Sequence, residues 1–193
     1  MNICILSGSA RENNNTIRVA LAIKQLLEPI HQVQLIDFRM YDIPFLNQAE
    51  IHPEKLSTFQ QQLANSMEAA QLVLIISPEY NWSTTPEILN FLHRFGNKEF
   101  SHLFHNKVFS LVGVSTGKGG KTPALHLTTI LNKIISFLNL DAVVSPKIFE
   151  SHFTKEVLDE KGAMQGNLAY EQGLKQYLDY TLRVAQRWQQ SGT

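Results

Sequence analysis

The chain has 193 residues, 44% of them hydrophobic, which is enough to bury a full core and is most simply organised as one domain over 1–193. Lys plus Arg and Asp plus Glu both number 17, so the basic footprint of a duplex nucleic-acid binder is missing and any charged ligand must be attracted by local geometry. One cysteine excludes an intrachain disulfide framework, and neither a basic leader with an apolar run nor a stretch of membrane-spanning length is visible, so a cytoplasmic protein without membrane or nucleic-acid partners is expected.

Asn2 to Leu6 reads as a β-branched apolar strand, with Cys4 between Ile3 and Ile5 as a buried, inert thiol. Thr16 to Glu28 carries Ile17, Ala20, Leu21 and Leu27 at helical spacing, and Gln32 to Asp37 forms a second strand. A loop with Pro44 leads to a helix over Pro53 to Ala70, whose apolar face holds Leu56, Phe59, Leu63 and Met67. Gln71 to Ser77 is nearly all apolar, as a strand covered on both faces must be. Pro86 to Phe95 is a helix capped by Thr84 or Thr85, with proline in the first turn. Lys107 to Ser115 is the fourth strand, Ala124 to Leu138 the fourth helix and Leu140 to Pro146 the fifth strand. A turn from Gly162 to Gly166 precedes a last helix from Leu168 to about Trp188. This alternation predicts an α/β fold: a doubly wound, five-stranded parallel sheet in three layers, with no repeat or linker to divide it.

Ligands of such sheets sit at the carboxyl ends of the strands, so the loops there carry the chemistry. Ser7 to Thr16, "SGSARENNNT", joins the first strand to a helix N-terminus, where free amides and the dipole favour a phosphate. Gly8 permits the tight turn, Ser9, Asn14, Asn15 and Thr16 are donors, and Arg11 is the neutralising cation. Ser77 to Glu87, "SPEYNWSTTPE", suits a flat ring with a polar edge. Pro78 interrupts the strand ladder, Asn81 tolerates unusual backbone angles, and Tyr80 or Trp82 covers a ring face or packs elsewhere. A phosphate cradle beside a ring site describes a pocket for flavin mononucleotide (FMN).

The third loop, Ser115 to Thr122 or "STGKGGKT", brings flexible glycines and Thr116 to the same edge. It nearly spells the phosphate loop of nucleotide triphosphatases, but Ser115 stands where the first glycine belongs, Pro123 follows at once, and no later apolar strand ends in a magnesium-binding aspartate. A P-loop-like nucleotide-binding protein is therefore a remote alternative.

"GSARENNNT" resembles the G-S-x-R-x-x-S-N-T opening of the NAD(P)H-dependent FMN reductases, a family of flavodoxin-like proteins. "PEYN" with Ser83 and Asn90 is similar to that family's P-E-Y-N-x-S…N signature, and "DIPFLNQ", "TGKGG" and "DEKG" also have counterparts. The resemblance implies that Ser9, Arg11, Asn14, Asn15 and Thr16 hold the FMN phosphate, that Pro78, Glu79, Tyr80 and Asn81 line the isoalloxazine with Ser83 close by, and that Thr116, Gly117, Gly119 and Gly120 close the other side. It further implies hydride transfer from NADH or NADPH to FMN, and then electron transfer to a quinone, azo compound, free flavin or metal oxyanion. A homodimer or homotetramer is implied too, for which Phe91, Phe95, Phe100 and Phe104 offer an association region unless they are core.

The flavin supplies the chemistry, so no catalytic acid, base or nucleophile is assigned. The chain departs from the family pattern at Asn14 (serine), Trp82 (glycine), Leu89 (lysine) and His93 (aspartate), while Pro86 is displaced by one residue. His93 lies off the apolar stripe of its helix and reads as a polar contact. His102 and His105 have no partners at ligand spacing, so no metal site is expected. A flavin-binding electron carrier without nicotinamide turnover is the alternative on the same fold, although such carriers are often strongly acidic and this chain is neutral.

Overall fold

The computed structural model describes residues 1–191. Five parallel strands, β1 (Asn2–Ser7), β2 (Gln32–Asp37), β3 (Leu72–Pro78), β4 (Lys107–Val114) and β5 (Ala142–Ser151), form one sheet in the order β2-β1-β3-β4-β5, the flavodoxin-like order. β3 and β4 are buried along their whole length, which explains their unbroken apolar sequences. Between β1 and β3 the winding reverses, so the loops after those two strands open into one crevice.

Among the described residues six helices cover the faces. α2 (Thr58–Ala69), α3 (Pro86–Phe95) and α4 (Lys121–Leu138) pack over one core cluster, which includes Leu63, Met67, Phe91, Phe95 and Leu127. On the opposite face α1 (Asn15–Leu27), the four-residue α5 (Thr154–Val157) and α6 (Leu168–Ser191) enclose Val19, Ile23, Val157, Leu174 and Leu178. The result is the expected three-layer arrangement.

Several boundaries differ from the sequence reading, each for a local reason. The helix expected from Pro53 begins at Thr58: Pro53–Lys55 is a single 3₁₀ turn, and Ser57 starts α2 with a capping box to Gln60. α4 starts at Lys121 because Pro123 still lies in the first turn, where its missing N–H goes unused. β5 runs past Pro146 to Ser151, since an edge strand tolerates a proline and the register with β4 shifts between Phe109 and Leu111. α5 is an addition to the expected helices.

The four phenylalanines considered for self-association are core residues instead, none more than 2% exposed. Phe95 and Phe100 lie 4.5 Å apart between ring centroids, and Phe104 stacks between Phe91 and Phe109. They therefore offer no face to a second copy. Large apolar side chains are exposed elsewhere, at Trp82, Leu125 and Phe137.

Cys4 has no exposed surface, and burial pushes its thiol up to about 12. The folded protein is thus expected to resist a colourimetric thiol reagent at mildly alkaline pH and to react stoichiometrically once guanidinium unfolds it. Rapid labelling of the folded chain would contradict this burial. Among the described residues no helix is long and apolar enough to cross a membrane.

Candidate active site

β1 delivers the chain at Ser7 to a bare stretch of backbone. The Gly8 N–H donates to the Ile76 carbonyl at 2.9 Å, and the Gly8 carbonyl accepts from the Thr85 hydroxyl at 2.8 Å. A Cβ on Gly8 would lie 2.1 Å from the Ile88 side chain and 3.0 Å from the Ile76 carbonyl oxygen. The glycine is thus required by α3 packing against the loop, not by a left-handed turn. Thr85 also accepts the Ile88 N–H, which makes it the α3 cap in place of Thr84.

Asn14 is partly consumed locally. Its Oδ1 caps α1 by accepting the Ile17 N–H at 2.7 Å, and its Nδ2 donates one of its two hydrogens to the Arg11 carbonyl at 2.6 Å, so only one donor of the amide is left for a phosphate. The cap leaves the other first-turn amides without intrahelical acceptors. Thr16 is fully buried, and its hydroxyl has no hydrogen-bond partner among the described residues. Asn15 Oδ1 is likewise buried and unpartnered. Ser9 is buried with its hydroxyl 3.3 Å from the Tyr80 hydroxyl, and the Arg11 guanidinium lies 4.2 Å from the Tyr80 ring centroid. Tyr80 thereby joins the first loop to the second.

Pro78 does not break the ladder. It is the last residue of β3, opposite Val114, and the Glu79 N–H extends the pairing by donating to the Val114 carbonyl at 2.9 Å. The chain then reverses through Asn81 and Trp82, held by reciprocal backbone bonds of 2.9 and 3.0 Å between Tyr80 and Ser83. Both central residues are left-handed, at φ 47° and 60°, in a turn whose second place usually takes glycine. Trp82 is 74% exposed.

Glu79 turns to the third loop, where its carboxylate accepts the Gly120 N–H. A Cβ on Gly119 would lie 2.8 Å from that carboxylate, and Gly120 is left-handed at φ 98° against Gly113. With an acidic side chain on its amide, the third loop does not form an anion cradle at Gly120, which counts further against a P-loop. Ser83 Oγ lies 3.5 Å from His126 Nδ1 on α4. Buried Asn90 donates to the Tyr41 hydroxyl at 2.7 Å and to the carbonyls of Ile43 and Pro44, pinning the loop before α2 onto α3.

These loops enclose a cleft of about 290 Å³. It gathers Ser9, Arg11, Asn14, Asn15, Thr16, Pro78, Glu79, Tyr80 and Thr116, while Asn81, Ser83, Gly117, Gly119 and Gly120 stand outside its lining. Asn13, Val114, Ser115 and Lys155 line it without having been singled out in the sequence. His93 is exposed on α3 at a separate hollow beside Arg94 and Glu50, and Leu89 is half-buried on the same helix. A larger cleft, of about 630 Å³, lies between the end of β5 and the start of α6, where Glu150 and His152 contact each other at 3.2 Å. It lacks the converging buried donors of the smaller one.

The family model described as NADPH-dependent FMN reductase matches residues 1–150. The chain belongs to the NADPH-dependent FMN reductase family. It is therefore a flavin-dependent oxidoreductase with FMN as cofactor and a reduced nicotinamide nucleotide as electron donor.

A curated relative of this FMN reductase, "Probable NADPH:quinone oxidoreductase 2" of Oryza sativa subsp. japonica, is 24% identical over 164 residues, covering 84% of this chain and 78% of the relative. Among solved structures, the flavoenzyme NAD(P)H:(acceptor) oxidoreductase FerB of Paracoccus denitrificans superposes with a TM-score of 0.71 at 16% identity, covering 93% of this chain and 94% of that one. An FMN-dependent NADH-azoreductase of Bacillus anthracis in complex with FMN gives 0.53 at 10% identity, covering 95% and 99%. At these identities the structural likeness shows the fold.

Proposed function

We propose that the FMN phosphate is held at the start of α1, that the ring lies towards Pro78, Tyr80 and Thr116, and that the acceptor is a small quinone. The observation that carries the placement is Thr16: a hydroxyl with no exposed surface and no protein partner, on the first turn of α1 and lining the cleft. A buried donor without an acceptor is costly, and a phosphate oxygen at a helix N-terminus satisfies it. Arg11 supplies charge from the loop, and its stacking on Tyr80 limits where the guanidinium can go.

When bound, FMN supplies the chemistry, taking a hydride from the reduced nicotinamide and passing two electrons to the acceptor. The protein binds and orients. Glu79 locks the second loop to the third through Gly120, so both sides of the ring site are carried by one rigid unit at the ends of β3 and β4. The quinone assignment is supported by the likeness to the probable NADPH:quinone oxidoreductase of Oryza sativa.

The test is reconstitution: add FMN to purified protein, remove free flavin on a desalting column, and record the flavin absorbance before and after anaerobic NADPH, NADH and then a benzoquinone. Retained flavin that NADPH bleaches and the quinone restores is the expected result. Retained flavin that neither nucleotide bleaches would leave an electron carrier. Failure to retain FMN would overturn the placement, and reoxidation by an azo dye or a metal oxyanion but not by the quinone would overturn the acceptor.

A further inference from the structure

We infer that Lys155 is a second phosphate-binding cation of the cofactor site, supplied by α5 from the far end of the chain. Lys155 lines the same cleft as Ser9, Arg11 and Thr16, and also an adjoining cleft of about 430 Å³ that shares the start of α1. It thus stands at the mouth of the proposed phosphate cradle. Among the described residues its ammonium makes no hydrogen bond or ion pair; of the acids that line the two clefts, Glu12 stands near Arg39 and the other two are engaged elsewhere. Glu160 pairs with Arg18 at 3.4 Å, and the Glu79 carboxylate is turned to Gly120.

The segment that carries Lys155 is fixed to the third loop. The Phe153 N–H donates to the Gly117 carbonyl at 3.1 Å, and the Thr154 hydroxyl lies 3.3 Å from the Ser115 carbonyl and 2.9 Å from the Ser151 hydroxyl. A flexible lysine on a fixed backbone beside unpaired amides suits a dianionic phosphomonoester, whose second charge Arg11 alone leaves unbalanced.

This inference rests on the placement of the phosphate at α1, and the experiment separates the two. FMN and riboflavin affinities are measured by quenching of flavin fluorescence, at low and high salt, for the wild-type protein, Lys155→Ala, Lys155→Arg and Thr16→Val, with circular dichroism to confirm that each folds. Lys155→Ala is expected to bind FMN about ten-fold or more weakly, with riboflavin unchanged and a reduced salt dependence, and Lys155→Arg to stay close to wild type. Full FMN affinity in Lys155→Ala, or equal losses for both flavins, would overturn the role of Lys155 while Thr16→Val still weakens FMN alone. If Thr16→Val also leaves FMN binding intact, the phosphate placement itself is wrong.

Discussion

Gly113→Ala is expected to destabilise the protein by about 3 kcal/mol or more and to abolish tight FMN binding, whereas Gly117→Ala should change stability by no more than about 0.5 kcal/mol. The contrast follows from what a Cβ would meet. At Gly113 it would lie 1.7 Å from the carbonyl oxygen and 2.4 Å from the carbonyl carbon of Gly120, both backbone atoms that no rotamer change can move. At Gly117 nothing lies within 4 Å, and its φ is not left-handed. Gly113 sits in β4 between Ser77 of β3 and Glu150 of β5, so the strand cannot shift without breaking two ladders. The third loop must move instead, and with it the Gly120 amide that holds Glu79 and the Ser115 and Thr116 wall of the cleft. Urea unfolding and flavin retention check the prediction; a Gly113→Ala protein within about 1 kcal/mol of wild type would show that β4 and the third loop are not packed backbone to backbone.

The glycine pair also shows where sequence reasoning stops. "STGKGG" after an apolar strand marked the loop, and the natural reading was that its glycines admit a ligand. In the fold Gly119 and Gly120 admit Glu79 and Gly113, contacts that depend on how two strands are staggered and that no local pattern encodes. Asn14 is similar: "NNNT" shows both a cap and a set of donors, and only the geometry assigns Asn14 to the cap while leaving Thr16 unpartnered. The strands were legible because burial on both faces forces continuous apolar runs in β3 and β4. The end of β5 was not, since Pro146 is a stop signal in isolation and is permitted only because the strand lies at an edge. The phenylalanines of α3 and its following loop were ambiguous for another reason: apolar periodicity identifies a face without saying what covers it. Lys155 is separated from Arg11 by most of the chain, and only the sheet order brings α5 to the start of α1.

Thr16→Val is expected to raise the stability of the flavin-free protein by about 1 kcal/mol while weakening FMN roughly ten- to a hundred-fold and leaving riboflavin unaffected. The two signs have one origin. In the folded chain the Thr16 hydroxyl is removed from water with no protein acceptor in exchange, which costs about 1–3 kcal/mol, and a methyl in its place removes that cost with little change of shape. A phosphate at the start of α1 supplies the missing acceptor, and a hydrogen bond to a charged group is worth about 1.5–3 kcal/mol, which the valine forfeits. Riboflavin lacks the phosphate and so does not sense the change. Urea unfolding of the flavin-free protein and parallel fluorescence titrations with the two flavins read both effects. A hydroxyl that merely packed the core would give the same gain in stability with no loss specific to FMN; a loss of FMN affinity with riboflavin binding intact arises only if the buried hydroxyl is held in reserve for the phosphate.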